Sequence, residues 1–116
     1  MIYKKEKYLK ILKLELSHLI EDISSVIAYE KELHDKLEHT NFVYLENLVV
    51  LKDEIMGVSG IIGQIENIAN ESTDENLKTN LENSILEFVK KRGYPMAVYD
   101  MFLNKLKKID GLYNLC

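Results

Sequence analysis

Glu30, His34 and Glu38 stand at i, i+4 and i+8 of one helical pattern, so their side chains point to the same side of a single helix. Carboxylates and an imidazole in that arrangement are ligand types for a divalent metal, with a symmetry mate completing the shell. Glu30 also falls in line with Ile23, Val26, Leu33 and Leu37, an apolar seam where a carboxylate is costly unless it is paired or reaches water. Carboxylate-bridged di-iron bundles need more than this: a Glu from each of two helices and a Glu-x-x-His from each of the other two. The chain has one such motif, Glu15-Leu16-Ser17-His18, and no His after His39. The sequence therefore favours a solvated Glu-His-Glu ladder with no metal or other cofactor, and keeps Glu30, His34 and Glu38 as a metal-binding alternative.

Nucleophilic chemistry finds no grouping of residues. The single cysteine is Cys116, and no Ser or Thr is placed by sequence beside a His and an acid. Gly57, Gly60 and Gly63 recur at spacing three but follow no strand and form no phosphate-binding loop. They lie inside a helical pattern, where each costs about 1 kcal/mol relative to Ala. That cost calls for a compensating contact. The glycines fall off the Ile55/Val58/Ile62/Ile65 seam, on a second face continued by Phe42, Val49, Val50 and Met56. Such a face admits the backbone of a partner, or of a helix in the same chain, at short range.

In this segment the chain resembles the histidine-containing phosphotransfer domains, four-helix bundles that carry a phosphorylated His followed by Gly at +4 and +10. Gly57 and Gly63 are similar to those glycines. The His position holds Asp53, however, and the Lys that usually precedes the first glycine is Met56. What the resemblance implies is a bundle that docks a receiver domain without the phosphotransfer chemistry. The stretch from Leu77 to Leu106, with Pro95 opening a helix after an amphipathic one, is similar to the central hairpin of bacteriocin immunity proteins. Those carry further helical sequence or a tail beyond it.

The elements that position these residues follow from apolar periodicity. Leu9, Leu12, Leu16, Leu19, Ile23 and Val26, then Leu33 and Leu37, predict a helix over about 3–38. Tyr44, Leu48, Leu51, Ile55, Val58, Ile62, Ile65 and Ala69 predict a second over 41–70, with Thr40 or Asn41 as N-cap. Ser72 and Glu75 fit a capping box for a third, faced by Leu77, Leu81, Ile85, Phe88 and Val89, and Gly93 suits a left-handed cap at its end. Pro95 opens a fourth helix, with Tyr99, Phe102, Leu106, Ile109 and Tyr113 facing the core. The expected fold is all-α: one domain over 1–116, an up-down antiparallel four-helix bundle with a long hairpin of helices 1 and 2 and two shorter helices.

The shorter pair cannot cover the long one, so the hairpin tip is left bare with Leu33, Leu37, Phe42, Val43, Tyr44 and Leu45 on it. The chain is 47% apolar and 29% charged, which excludes a disordered tail, and its net charge of −4 gives no global positive field for a phosphate backbone. Lys4 to Lys13 and Lys105 to Lys108 are expected at one pole, as solvated charge or as a basic patch for an anionic partner. The lysines and glutamates of 1–20 break any signal-like apolar run, no segment is long enough to span a membrane, and a cytoplasmic location follows from the cysteine usage. The function expected is non-catalytic: a protein that contacts another protein, first of all a second copy of itself. The contact is expected through Leu33, Leu37, Phe42, Val43, Tyr44 and Val50 or through the face of Gly57, Gly60 and Gly63.

Overall fold

The computed structural model describes residues 4–36 and 40–114, with the side chains of 4 and of 112–114 outside the description. Four helices follow in chain order: α1 (Lys4–Asp35), α2 (Asn41–Asn70), α3 (Leu77–Arg92) and α4 (Met96–Asn114). The all-α bundle with a long first hairpin is the architecture that the apolar periodicity requires. Packing around the bundle runs α1 against α2, α2 against α3, α3 against α4 and α4 against α1, and α2 also reaches α4 across the diagonal.

Local sequence sets each boundary. Thr40 has extended backbone and its Oγ1 accepts from the Val43 N–H at 3.2 Å, which starts α2 as an N-cap. At the other end of α2 the Lys5 ammonium donates to the carbonyls of Ala69 and Ser72, each at 3.1 Å. The Ala69 carbonyl also accepts from the Ser72 N–H at 3.0 Å, and the cation complements the negative end of the helix. Gly93 has φ +72°, its N–H donates to the Lys90 carbonyl at 3.2 Å, and the Tyr94 N–H donates to the Val89 carbonyl at 3.1 Å. These two bonds are the Schellman pair that ends a helix, and Lys90, Lys91 and Arg92 complement its negative end.

Two boundary expectations are corrected. The turn into α3 is tied by Thr73 and Asn76, not by Ser72 and Glu75: the Thr73 N–H donates to Asn76 Oδ1 at 2.7 Å and the Asn76 N–H to Thr73 Oγ1 at 3.3 Å. Ser72 instead turns its hydroxyl to the Ile68 carbonyl at 2.6 Å. Helix α1 ends at Asp35, short of the expected 38; Leu37, Glu38 and His39 lie outside the described residues.

The core sits in the lower half of the hairpin, where all four helices meet. Leu12, Leu16, Val58, Ile61, Ile65, Leu81, Ile85, Val89, Val98, Phe102 and Ile109 are fully buried there. Val98 belongs to this core although the pattern of α4 pointed to Tyr99, which is half-buried and donates its hydroxyl to the Glu82 carbonyl at 3.0 Å. The radius of gyration is 16.4 Å and the extents are 55 × 32 × 17 Å. A compact chain of this length would have a radius of about 13 Å. The excess is the upper half of the α1–α2 hairpin, which continues past α3 and α4 as a two-helix arm formed by residues 24–35 and 41–56.

Candidate functional site

The arm begins where the turn between α3 and α4 meets α2. A Cβ placed on Gly57 would stand 2.9 Å and 3.0 Å from the two Val98 methyls and 3.4 Å from the Tyr94 ring; one on Gly60 would stand 3.0 Å from the Phe88 ring edge. The missing side chains at these two positions are what let α3, α4 and their turn close onto α2. Phe88 and Tyr94 pack ring to ring at 5.9 Å between centroids, and the Arg92 guanidinium lies over Phe88 at 5.5 Å. Gly57 and Gly60 are therefore removed from the expected intermolecular interface: the chain's own turn occupies that part of the face. Gly63, by contrast, is exposed with nothing within 4 Å of a Cβ. The surface beside Gly57, which the phosphotransfer resemblance would make a receiver-docking face, is closed by Val98 and Tyr94.

Toward the tip the same face of α2 is bare. Residues seven apart on a helix differ by only about 20° in direction. Val50 and Val43 thus continue the line of Gly57, and Val49 and Phe42 continue that of Met56. All five side chains are exposed, from 40% at Val43 to 75% at Phe42, and Leu45 joins them. On α1, Val26 and Tyr29 are exposed as well. Val26 was expected in the buried seam; it is uncovered because α4 starts at Met96, below its level. Among the described residues from 24 to 56 none is buried.

The two helices of the arm are held together by half-buried side chains. His34 stacks on Tyr44 with centroids 4.4 Å apart and planes 21° apart, and its Nε2 lies 2.5 Å from Asn41 Oδ1. Asn47 Nδ2 donates to Glu30 Oε2 at 3.2 Å. Leu33 and Tyr44 are thus partly used inside the arm, whereas Phe42, Val43 and Val50 face outward. Glu30 and His34, two of the metal candidates, are engaged with Asn47, Asn41 and Tyr44; the third, Glu38, lies outside the described residues. Among the described residues no group of three His, Cys, Asp or Glu is placed to hold a metal ion.

Three groups of ion pairs join charges in the body. Glu15 receives Lys105 at 3.2 Å and Lys108 at 2.9 Å, and the hydrogen bond from Lys108 is the largest cause holding its carboxyl below the ordinary value. Lys13 pairs with Glu66, and Lys78 with Asp110 at 2.5 Å. In the expected basic pole, Lys13, Lys105 and Lys108 are thus paired with carboxylates and Lys5 with carbonyls. The cleft beside Lys5, Lys10 and Lys13 is open and includes Glu66, so it collects no unpaired set of cations. At the base of the arm, Glu54 is half-buried and desolvation raises its carboxyl above the ordinary value.

Of the residues that carry this surface, Val26 and Tyr29 on α1 and Leu45, Val49 and Met56 on α2 are outside the contact set expected from the sequence. The available signal was the length mismatch, which uncovers α1 as much as α2. No described helix is long and apolar enough to cross a membrane. Comparison with protein-family models, with curated proteins and with solved structures finds no match for this chain.

Proposed function

We propose that this chain is a non-catalytic interaction protein whose α1–α2 arm is the docking element for another protein. One observation carries the reading: Val43 and Val50 are exposed on the line of α2 that the α3–α4 turn covers at Gly57, and Phe42, Val49 and Met56 are exposed beside them. At Gly57 and Gly60 that side of α2 is covered by Val98, Tyr94 and Phe88; at Val43 and Val50 it is exposed. An exposed face of five large apolar side chains with the carboxylates Glu46 and Asp53 among them is the kind of surface at which another protein docks. The engaged polar groups of the arm, Glu30 with Asn47 and His34 with Asn41, support a structural rather than a chemical role.

The test is a photo-crosslinking residue at position 49 in the producing cell, with one at the exposed body position Lys107 as the control. A discrete protein adduct from position 49 and none from position 107 is the expected result. No adduct from position 49 would overturn the reading.

A further inference from the structure

We propose that the occupant of the arm is a basic amphipathic helix of another protein, with its apolar stripe on α2 between Phe42 and Met56 and its lysines or arginines against Glu46 and Asp53. The inference rests on the docking role of the arm and names the chemistry of its partner.

The place of the two carboxylates is the first argument. Glu46 and Asp53 are seven apart and form the line of α2 that ends at Gly60. This line runs between that of Phe42, Val49 and Met56 and that of Val43, Val50 and Gly57. Both carboxylates are exposed, and neither has an ion pair or a side-chain hydrogen bond among the described residues. Any cover that closes over Val49 and Val50 therefore takes Glu46 and Asp53 out of water. A wholly apolar partner would leave two desolvated carboxylates without compensation, which is costly. Cations on the partner supply it. Seven residues span about 10.5 Å along the axis, which is the separation of positions i and i+7 on a second helix.

Charge of the arm as a whole is the second argument. Residues 24–56 hold seven acidic and three basic side chains, which is the whole net charge of −4; the rest of the chain is balanced. A second copy of the arm, an anionic bilayer or a nucleic acid would be repelled by this element, whereas a cationic segment is drawn to it.

The chain's own cover of these lines is the third. Where the lines of Gly57 and Gly60 enter the body, Val98, Tyr94 and Phe88 close over them. The Arg92 guanidinium lies over Phe88 at 5.5 Å, and Lys90 and Lys91 are exposed in the same last turn of α3. An apolar set that carries a run of cations is thus what α2 already accepts on this side. From Phe42 to Met56 the uncovered part is about 21 Å long and one helix wide, which suits a single partner helix of about four turns.

The probes for the test are two synthetic helical peptides of about 15 residues with the same leucine stripe, one flanked by lysines and one by glutamates. Each is titrated with the full chain by fluorescence anisotropy. The arm variant is Glu46→Lys with Asp53→Lys; a control of equal charge change is Asp74→Lys with Glu75→Lys, at the opposite end of the bundle. All four positions are exposed, and circular dichroism checks that each variant keeps its helices. The lysine peptide should bind the wild type and the control with similar affinity, and the glutamate peptide at least about tenfold more weakly. The arm variant should reverse that preference. Equal binding of the two peptides, no binding of the lysine peptide, or the same loss in the control as in the arm variant would overturn the basic occupant. Crosslinking from position 49 in the producing cell then separates the two failures. A discrete adduct with another protein keeps the docking role, an adduct with a second copy of the chain replaces the occupant, and no adduct rejects the role as well.

Discussion

Gly57 and Val98 meet across the diagonal of the bundle so closely that a Cβ on the glycine would lie 2.9 Å from a valine methyl. The three glycines of α2 thus have three different surroundings and should respond differently to Ala. Gly57→Ala presses on a β-branched side chain that has little rotamer freedom, and overpacking of that kind costs about 1–3 kcal/mol, more than the roughly 1 kcal/mol of helix propensity regained. Gly63→Ala meets nothing and should gain up to about 1 kcal/mol. Gly60→Ala, facing the far edge of the Phe88 ring at 3.0 Å, should fall between them. Urea unfolding midpoints in the order Gly63→Ala, wild type, Gly57→Ala check this; equal stabilisation by all three would remove the close approach.

Two carboxylates should give pH dependences of opposite sign. Glu15 is held below its ordinary value by Lys108 and Lys105, so its contribution is present above the unfolded carboxyl pKa and is lost as pH falls through the folded one. Glu15→Gln should therefore destabilise at neutral pH, by about 1 kcal/mol or less for a pair of this kind, and the difference should vanish in acid. Glu54 is raised by desolvation, so its ionised form opposes folding above the folded pKa and the penalty disappears below the unfolded one. Glu54→Gln should stabilise at neutral pH and be neutral in acid. Thermal midpoints of both variants from neutral pH to pH 3 test the signs, and parallel profiles would contradict them.

How far this molecule is legible in its sequence depends on which contacts are local. Gly93 and the Lys90-Lys91-Arg92 run announce the end of α3, because a Schellman turn needs only those residues and their own backbone. The seams of α1 and α2 follow from periodicity for the same reason. Val98 is different: rotating α4 by one residue exchanges Tyr99 for Val98, and what decides between them is Gly57, 41 positions away. The Thr73–Asn76 tie and the Ser72/Glu75 pair share one spacing, and only the path of the turn selects the first. A helical wheel gives the direction in which the glycines point but not the neighbour found there, so an internal contact and an interface look alike. Val26 shows the converse limit, since its seam continues in sequence past the level where its covering helix begins.

Glu30 and His34 already have partners, Asn47 on one side and Asn41 with Tyr44 on the other. A metal drawing on them would have to displace those bonds. Zinc or iron(II) added to protein purified without chelator or affinity tag should therefore leave the thermal midpoint unchanged and bind at well below one ion per chain. Stabilisation by RT ln(1 + [L]/Kd) with near-stoichiometric metal would reverse this.

Opening of the arm should cost less than opening of the body, because no described residue from 24 to 56 is buried whereas Val58, Ile61 and Ile65 are fully so. Segments with few buried apolar contacts exchange their amides through local opening, at free energies well below that of global unfolding. In dilute solution the amides of 42–54 should exchange faster than those of 58–69 of the same helix. With the lysine-flanked peptide added, protection over 42–54 should rise while that over 58–69 stays constant. Val50→Lys should abolish the rise and leave the lower half unchanged, since its side chain is exposed and outside the core. Uniform protection along α2 with and without the peptide would mean that the arm is stabilised within the single chain and has no surface to offer.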